Sequence, residues 1–420
     1  MNRPLRIAHA APPLERVPPR GYGGTERVVH ELVSELVARG HEVTTFASGD
    51  SEVPGRLVPT IEAALRPAGF GGDASPWYLA TILSVLESAR EFDVIHSHLE
   101  WYSTILSKVS PVPVVTTFHG RLDFPWARDL LIRGEGNYVA ISRAHAATHP
   151  DIPWAGIVHN GLDLANAPFE RRRGEALCFV GRVAPEKGIV DAIEIAKRTG
   201  RRLRIAAKIG TTPHELAYHE DVFLPALAAA SDDVEFLGEI SGADRDRLFA
   251  ESYCTLMPGS WPEPFGLVAI ESLACGTPLI ARPAGALPEI VRHGRDGFFG
   301  DDVAEMAFYI DRVAGLDRAA IRASVIDRFS AARMADAYES IYERLIAGDA
   351  PSAPTATARA EPMGTPPSRT TLTARPARVP RFENAAGLER AWSARRNVSR
   401  ARRVDSAADP DATNGARPTD

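Results

Sequence analysis

Two glutamates eight positions apart, Glu263 and Glu271 in Glu-Pro-Phe-Gly-Leu-Val-Ala-Ile-Glu, form the most specific chemical pattern in this chain. The first lies in a proline-rich loop, Trp261-Pro-Glu-Pro264. The second lies in an apolar run that ends at Cys275-Gly276. Residues 266–274 read as a short helix closed by a glycine. One carboxylate then stands just before the helix N-terminus and the other about a turn and a half into it. A helix N-terminus attracts anions. Two carboxylates beside one therefore point to hydroxyl recognition next to a bound phosphate, and sugar nucleotides present both groups.

Four other segments have residue types suited to the same ligand. Gly21-Tyr-Gly-Gly-Thr-Glu26 lies between an apolar run and a helical pattern. Its glycines allow close backbone approach, Thr25 can cap the helix, and a phosphate could rest on free N–H groups. The same residues would also make a plain tight turn. Glu26 takes the place of the third glycine of a dinucleotide fingerprint, so that motif is excluded. Gly181-Arg-Val-Ala-Pro-Glu-Lys-Gly188 places Arg182 and Lys187 five positions apart on one loop. A planar fork and a point charge near a helix start suit a diphosphate, though an exposed charged loop would look alike. Thr116-Thr-Phe-His-Gly120 puts His119 at the end of a buried strand, where open α/β sheets bind ligands. His96 and His98, at another strand end, read as structural. Arg282-Pro-Ala-Gly-Ala-Leu-Pro-Glu-Ile-Val291 offers the backbone N–H groups of Gly285, Ala286 and Leu287 at a helix start. His30-Glu31 and His214-Glu215 lack the second histidine of a zinc protease, and no nucleophile-elbow serine occurs. No cysteine pair has metal-ligand spacing, so no metal is expected.

These loops need strands and helices to position them. An apolar run at 5–11, a helical face of Val28, Val29, Leu32, Val33, Leu36 and Val37, and a strand at 43–47 make a β-loop-α-β unit. Strands follow at 94–97, 112–117, 138–141 and 157–159, with helices at 79–89 and near 102–109. The alternation breaks over 164–174, read as a linker containing Arg171-Arg-Arg173. It restarts with strands at 177–180, 203–207, 234–237, 254–257, 278–281 and 297–299. The intervening helices fall at 189–199, 243–250, 266–274, 287–291 and 303–314, and a last amphipathic helix at 331–347. The expected fold class is α/β: two doubly wound domains facing each other across a ligand cleft. The segment 54–76 has no interpretable motif.

The 420 residues, 45% hydrophobic and 24% charged, suit two such domains. Residues 351–420 hold 12 arginines against 7 acids, so the overall −6 leaves about −11 on residues 1–350. That excludes nonspecific nucleic-acid binding by the body. Residues 349–420, rich in Pro, Ala, Thr and Arg, read as a disordered tail with a basic run at 395–403. Weak contact of that run with anionic lipid or nucleic acid is the alternative to a solvated tail. Cys178, Cys254 and Cys275 read as buried free thiols. The opening residues are too short and polar for a signal peptide, and no apolar run reaches a membrane span of ~20 residues. A cytoplasmic protein is expected.

Taken together, Glu-x7-Glu, the Gly-Arg-x5-Gly loop, Phe-His-Gly and the Pro-Glu-Ile-Val helix resemble the retaining family 4 glycosyltransferases of the GT-B fold over residues 5–347. The start, Gly23-Gly-Thr-Glu-Arg-Val-Val followed by Arg39-Gly-His-Glu-Val-Thr-x-Phe-Ala, is similar to a bacterial subgroup. The resemblance implies two Rossmann-like domains: residues 1–165 on the acceptor side and 174–328 binding the nucleotide sugar. It implies that 329–348 packs back on the first domain. It implies that Glu271 binds ribose hydroxyls and Glu263 donor-sugar hydroxyls. Arg182 and Lys187 would hold the diphosphate and stabilise the leaving group, and His119 would contact the transferred sugar. Gly23 and Gly24 would approach the diphosphate, with amides of Phe265, Gly266 and Leu267 near the donor. Ala207-Lys208 departs from the family's glycine-rich strand end, which leaves base contacts near Lys208 and Ile240 open. The implied reaction is metal-independent and retaining. It moves a hexose from a UDP-, GDP- or ADP-sugar, with no cofactor, to a glycan, lipid or small molecule. Peripheral membrane contact is compatible with it. A sugar phosphorylase, a nucleotide-sugar epimerase, hydrolysis by paired carboxylates, or a noncatalytic nucleotide-sugar-binding protein are the competing readings.

Overall fold

In the computed structural model, residues 3–21, 23–230 and 232–348 are described. They lie in one compact unit spanning residues 1–357. The expected tail at 349–420 lies outside the described residues, as does its basic run.

Fully buried parallel strands need both faces covered, which is why their sequences are apolar runs rather than alternating patterns. The first sheet has seven parallel strands: β1 Arg6–Ala10, β2 Glu42–Ser48, β3 Arg56–Ile61, β4 Val94–Ser97, β5 Val114–Thr117, β6 Asn137–Ala140 and β7 Gly156–Ile157. Their spatial order is β3-β2-β1-β4-β5-β6-β7. The second has six: β8 Leu177–Val183, β9 Leu203–Ile209, β10 Val234–Gly238, β11 Thr255–Met257, β12 Leu279–Ala281 and β13 Gly297–Phe299. Their order is β10-β9-β8-β11-β12-β13. Both sheets are doubly wound, as expected. In each the winding reverses beside the first strand, at β1/β4 and at β8/β11. Such switch points open a crevice at the carboxyl ends of the strands.

The helix Gly24–Ala38 follows β1 and buries Val28, Val29, Leu32, Val33 and Leu36. Each such side chain contributes roughly 1.5–3 kcal/mol by leaving water. Gly40 ends this segment with φ +89°. One apolar cluster joins the halves, with Val115 and Val139 from the first sheet, Phe265 and Ile270 from the loop and helix that follow β11, and Tyr338 and Tyr342 from the last helix. That helix, Ala331–Ile346, returns to the first half. Asp336 accepts from Arg39 at 2.7 Å, and Glu339 lies 2.8 Å from His41 Nε2. The Tyr342 hydroxyl is 2.7 Å from His96 Nδ1, and the Tyr338 hydroxyl 2.9 Å from Thr117 Oγ1.

Some elements differ from expectation. β3 falls inside the segment with no recognised motif. It is an edge strand, exposed or half-buried throughout, and Pro59 interrupts its pattern, which an edge tolerates. The helix Arg318–Phe329 was not anticipated. Its first residue is a buried arginine that donates to the Ser252, Ala250 and Cys275 carbonyls. The expected helix at 303–314 ends as α-helix at Ile310 and tightens to a 3₁₀ turn over Asp311–Gly315. Among the described residues, no helix is long and apolar enough to cross a membrane.

Candidate active site

The loops after β1, β4, β8 and β11 converge on one cavity of about 390 Å³. Both switch points therefore face the same space. Gly23, Gly24, His119, Lys187, Glu263, Phe265, Gly266, Leu267 and Glu271 all line it.

On the wall built by the second sheet, the helix Leu267–Ala274 starts at Gly266, whose φ of +104° only glycine adopts freely. Gly285, at φ +58°, lies so close to the Glu263 loop that a Cβ there would stand 2.3 Å from the Glu263 backbone N and O. The loop is thus pinned from behind, and the Ala286 N–H donates to the Glu263 carbonyl at 2.8 Å. Lys187 Nζ donates to Glu263 Oε2 at 2.6 Å, with both side chains about one-fifth exposed. Glu271 is 5% exposed. It is gripped by Arg27 from the opposite half and by Arg245 at 3.1 Å. Arg182 stands apart from its expected partners. It does not line the cavity; its guanidinium is held by Glu215 and, at 3.1 Å, by Glu186. The Phe265 ring is core, packed 5.8 Å from Phe329 and 5.7 Å from His159, so only its backbone is available to a ligand. Lys208 lies 3.8 Å from Glu239.

On the wall built by the first sheet, the sequence reading missed most of the residues. Glu26, Arg66, Tyr78 and Glu100 line the cavity beside His119. Glu26 is 4% exposed, and burial pushes its carboxyl up to about 7. Burial lifts Glu100 to about 7 as well, against the pull of the His119 and Gly120 backbone N–H groups, each 3.1 Å from its Oε1. Glu100 also has φ +51°, a conformation that costs a non-glycine residue energy and clusters at functional sites. Two signals were legible: an acid two residues after a glycine pair, and another two residues after His96-Ser-His98 at a strand end. Asn160, 3% exposed, lines the cavity with Oδ1 lacking a partner among the described residues.

His119 tops a buried histidine stack. His98 Nδ1 is 3.0 Å from His119 Nε2, and His98 Nε2 is 3.3 Å from His9 Nδ1. Burial lowers His9 and His119 to about 3, so the stack is neutral at physiological pH. His119 Nδ1 has no partner among the described residues. Ring nitrogens of His9, His96 and His98 lie within 4.8 Å of one another, a spacing a metal could use. Both nitrogens of His96 are already within 2.7–2.8 Å of the Tyr342 and Thr117 hydroxyls. As arranged, the cluster is a hydrogen-bonded stack tying the last helix to the sheet.

Chemically, one wall joins a lysine, carboxylates and a helix N-terminus, and the other joins neutral histidine, carboxyl and phenol groups. Comparison with known proteins agrees with this division. Residues 22–166 match the Glycosyltransferase Family 4 domain, and residues 166–314 match Glycosyl transferases group 1. The D-inositol 3-phosphate glycosyltransferase of Mycobacterium avium is 31% identical over 80% of this chain and 91% of its own length. The glycogen synthase of Mycobacterium tuberculosis is 29% identical over 67% of this chain and 79% of its own. The crystal structure of AviGT4, a glycosyltransferase involved in avilamycin A biosynthesis, superposes with a TM-score of 0.62 at 25% identity, over 82% of this chain and 99% of that one. With paired parallel sheets, a cavity between their switch points and these matches along both halves, the chain belongs to the family 4/group 1 glycosyltransferases of the GT-B fold.

Proposed function

We propose that this enzyme transfers a hexose from a nucleoside diphosphate sugar to an acceptor hydroxyl, with retention of anomeric configuration and without a metal. The observation that carries this reading is the cluster of Lys187, Glu263, Glu271 and the Leu267–Ala274 helix N-terminus on one cavity wall. A diphosphate suits the lysine and helix N-terminus. Glu263 suits the donor-sugar hydroxyls and Glu271 the ribose hydroxyls. His119, uncharged, contacts the transferred sugar through Nδ1.

The anomeric C–O bond to the diphosphate breaks through an oxocarbenium-like state. The acceptor oxygen forms the new C–O bond on the same face, and its proton passes to the leaving phosphate. Lys187 and Arg182 stabilise the charge that develops there. For Arg182 this requires exchanging Glu215 for the diphosphate.

A thermal-shift screen of the full chain against UDP, GDP and ADP tests the donor site. The cognate nucleotide at 100 times its Kd raises stability by ~2.7 kcal/mol. No shift with any of them rejects the reading. Turnover unchanged by EDTA, and an NMR product spectrum showing the donor's anomeric configuration, are the expected outcomes for the metal-free, retaining course.

A further inference from the structure

The loop Gly181–Gly188 carries two cations that reach different partners. Lys187 lines the cavity, whereas Arg182 is drawn to a carboxylate that does not. That carboxylate, Glu215, stands in the first turn of the helix Pro213–Tyr218, on the segment after β9. Its two oxygens divide their work. Oε2 accepts from the Thr212 hydroxyl at 2.7 Å and from the Thr212 N–H at 3.3 Å, closing a capping box, while Oε1 accepts from Arg182. A Cβ on Gly210 would stand 2.3 Å from Glu215 Cδ, so the turn before the helix also packs against this side chain. Burial raises its carboxyl, but the two Thr212 donors and Arg182 outweigh burial and hold it below the usual glutamate range. Glu215 is therefore a charged group whose position the helix cap fixes. The other partner of Arg182, Glu186 at 3.1 Å, does line the cavity. The guanidinium is poised between an anion outside the cavity and one on its wall.

We propose that Glu215 is a built-in competitor of the diphosphate: by holding Arg182 outside the cavity it sets how tightly a nucleoside diphosphate, donor or product, is bound. This rests on the reading above, in which Arg182 and Lys187 meet the diphosphate. The fork of an arginine fits a carboxylate and a phosphate alike, so the two anions compete for one guanidinium. The diphosphate carries the larger charge and has Lys187 beside it, and it takes Arg182 when it binds. When the nucleotide leaves, the capped carboxylate is already in place to take the guanidinium back. Arg182, 32% exposed, is then never left as an unpaired, largely buried charge. The consequence is a weaker hold on the nucleoside diphosphate product than the two cations would give without a rival.

The test is calorimetric titration of the full chain with UDP, GDP and ADP, in the wild type, Glu215→Gln, Arg182→Ala and the double variant. Glutamine serves a capping box as glutamate does, so Glu215→Gln removes the charge and keeps the helix start. The nucleoside diphosphate that binds the wild type should bind Glu215→Gln about 10-fold more tightly, the worth of one charge-assisted hydrogen bond released from competition. Its inhibition constant against the donor should fall by the same factor. In the Arg182→Ala background the glutamine should bring no gain. A purely structural role for Glu215 would loosen the site and could not tighten a ligand. Unchanged or weaker affinity in Glu215→Gln overturns the proposal, and so does an equal gain in the absence of Arg182, which would reduce Glu215 to a bulk charge effect. Both of those results come with nucleotide bound to the wild type and leave the donor reading standing. If none of the three nucleotides binds either the wild type or Glu215→Gln, the donor reading falls and this inference with it.

Discussion

On the second-sheet wall of the cavity the charges are matched, Lys187 with Glu263 and Glu271 with Arg27 and Arg245, and outside the cavity Arg182 is likewise held by Glu215 and Glu186. On the first-sheet wall Glu26 and Glu100 have no ionic partner among the described residues, and His119 Nδ1 and Asn160 Oδ1 are buried without a hydrogen-bond partner among them. The contrast follows from what each wall is read to bind. Cations awaiting a diphosphate need temporary counter-ions, since a bare buried charge is costly. Groups awaiting hydroxyls need no fixed charge, and burial lifts the two carboxyls to about 7 and lowers the imidazole of His119 to about 3.

The matched wall is broken most severely by removing its cations. Lys187→Ala and Arg182→Ala each reduce turnover by ~10²–10³, measured as kcat with saturating donor. Near-normal turnover in Arg182→Ala would mean that its guanidinium stays with Glu215 and that Lys187 acts alone. The unmatched wall is sharpened by Glu100→Gln, which keeps an acceptor for the His119 and Gly120 N–H groups. Glu100 is lifted from 4.5 to about 7 on folding, so the folded state holds the proton more tightly. Its favourable contribution is present below pH 4.5 and lost as pH rises through 7. The glutamine variant should therefore gain on the wild type between pH 5 and 8, by up to roughly 3 kcal/mol in chemical unfolding. His9 and His119 act in the opposite sense: lowered from 6.5 to about 3, they cost stability as pH falls from 6.5 toward 3.

Glu271→Ala should weaken nucleotide affinity by ~10–100-fold in calorimetry, through loss of charge-assisted bonds to the ribose and release of Arg27 and Arg245. An unchanged Kd would place the ribose elsewhere. Gly285→Ala acts on the fold rather than on a ligand contact, costing about 1–3 kcal/mol of unfolding free energy. It acts by pushing the Glu263 loop, so Tm and donor KM should move together.

The second-sheet wall was largely legible in the chain because its residues are local. Gly181–Gly188 and Glu263–Glu271 each carry their chemistry within one strand-loop-helix segment, and the glycine positions mark where the backbone must turn. The first-sheet wall was legible only at Gly23, Gly24 and His119, because Glu26, Tyr78 and Glu100 come from three separate segments. Tyr78 reads as one more apolar residue near a helix start. Glu26 reads as a solvated acid until the packing around it is known. Arg182 was assigned to the diphosphate from its loop position and from the family resemblance, whereas Glu215, 33 residues later, holds its guanidinium.

The alternation of most strands and helices, the two doubly wound halves and the donor loops follow from apolar periodicity and glycine placement, which are properties of neighbouring residues, whereas the edge strand β3 and the helix Arg318–Phe329 were not marked by them. The pairing of Arg27 with Glu271, 244 positions away, and the shifts that leave Glu26 and Glu100 near neutrality were decided by tertiary structure. Burial and long-range charge have no local signature, because both depend on which distant segments fold against a side chain.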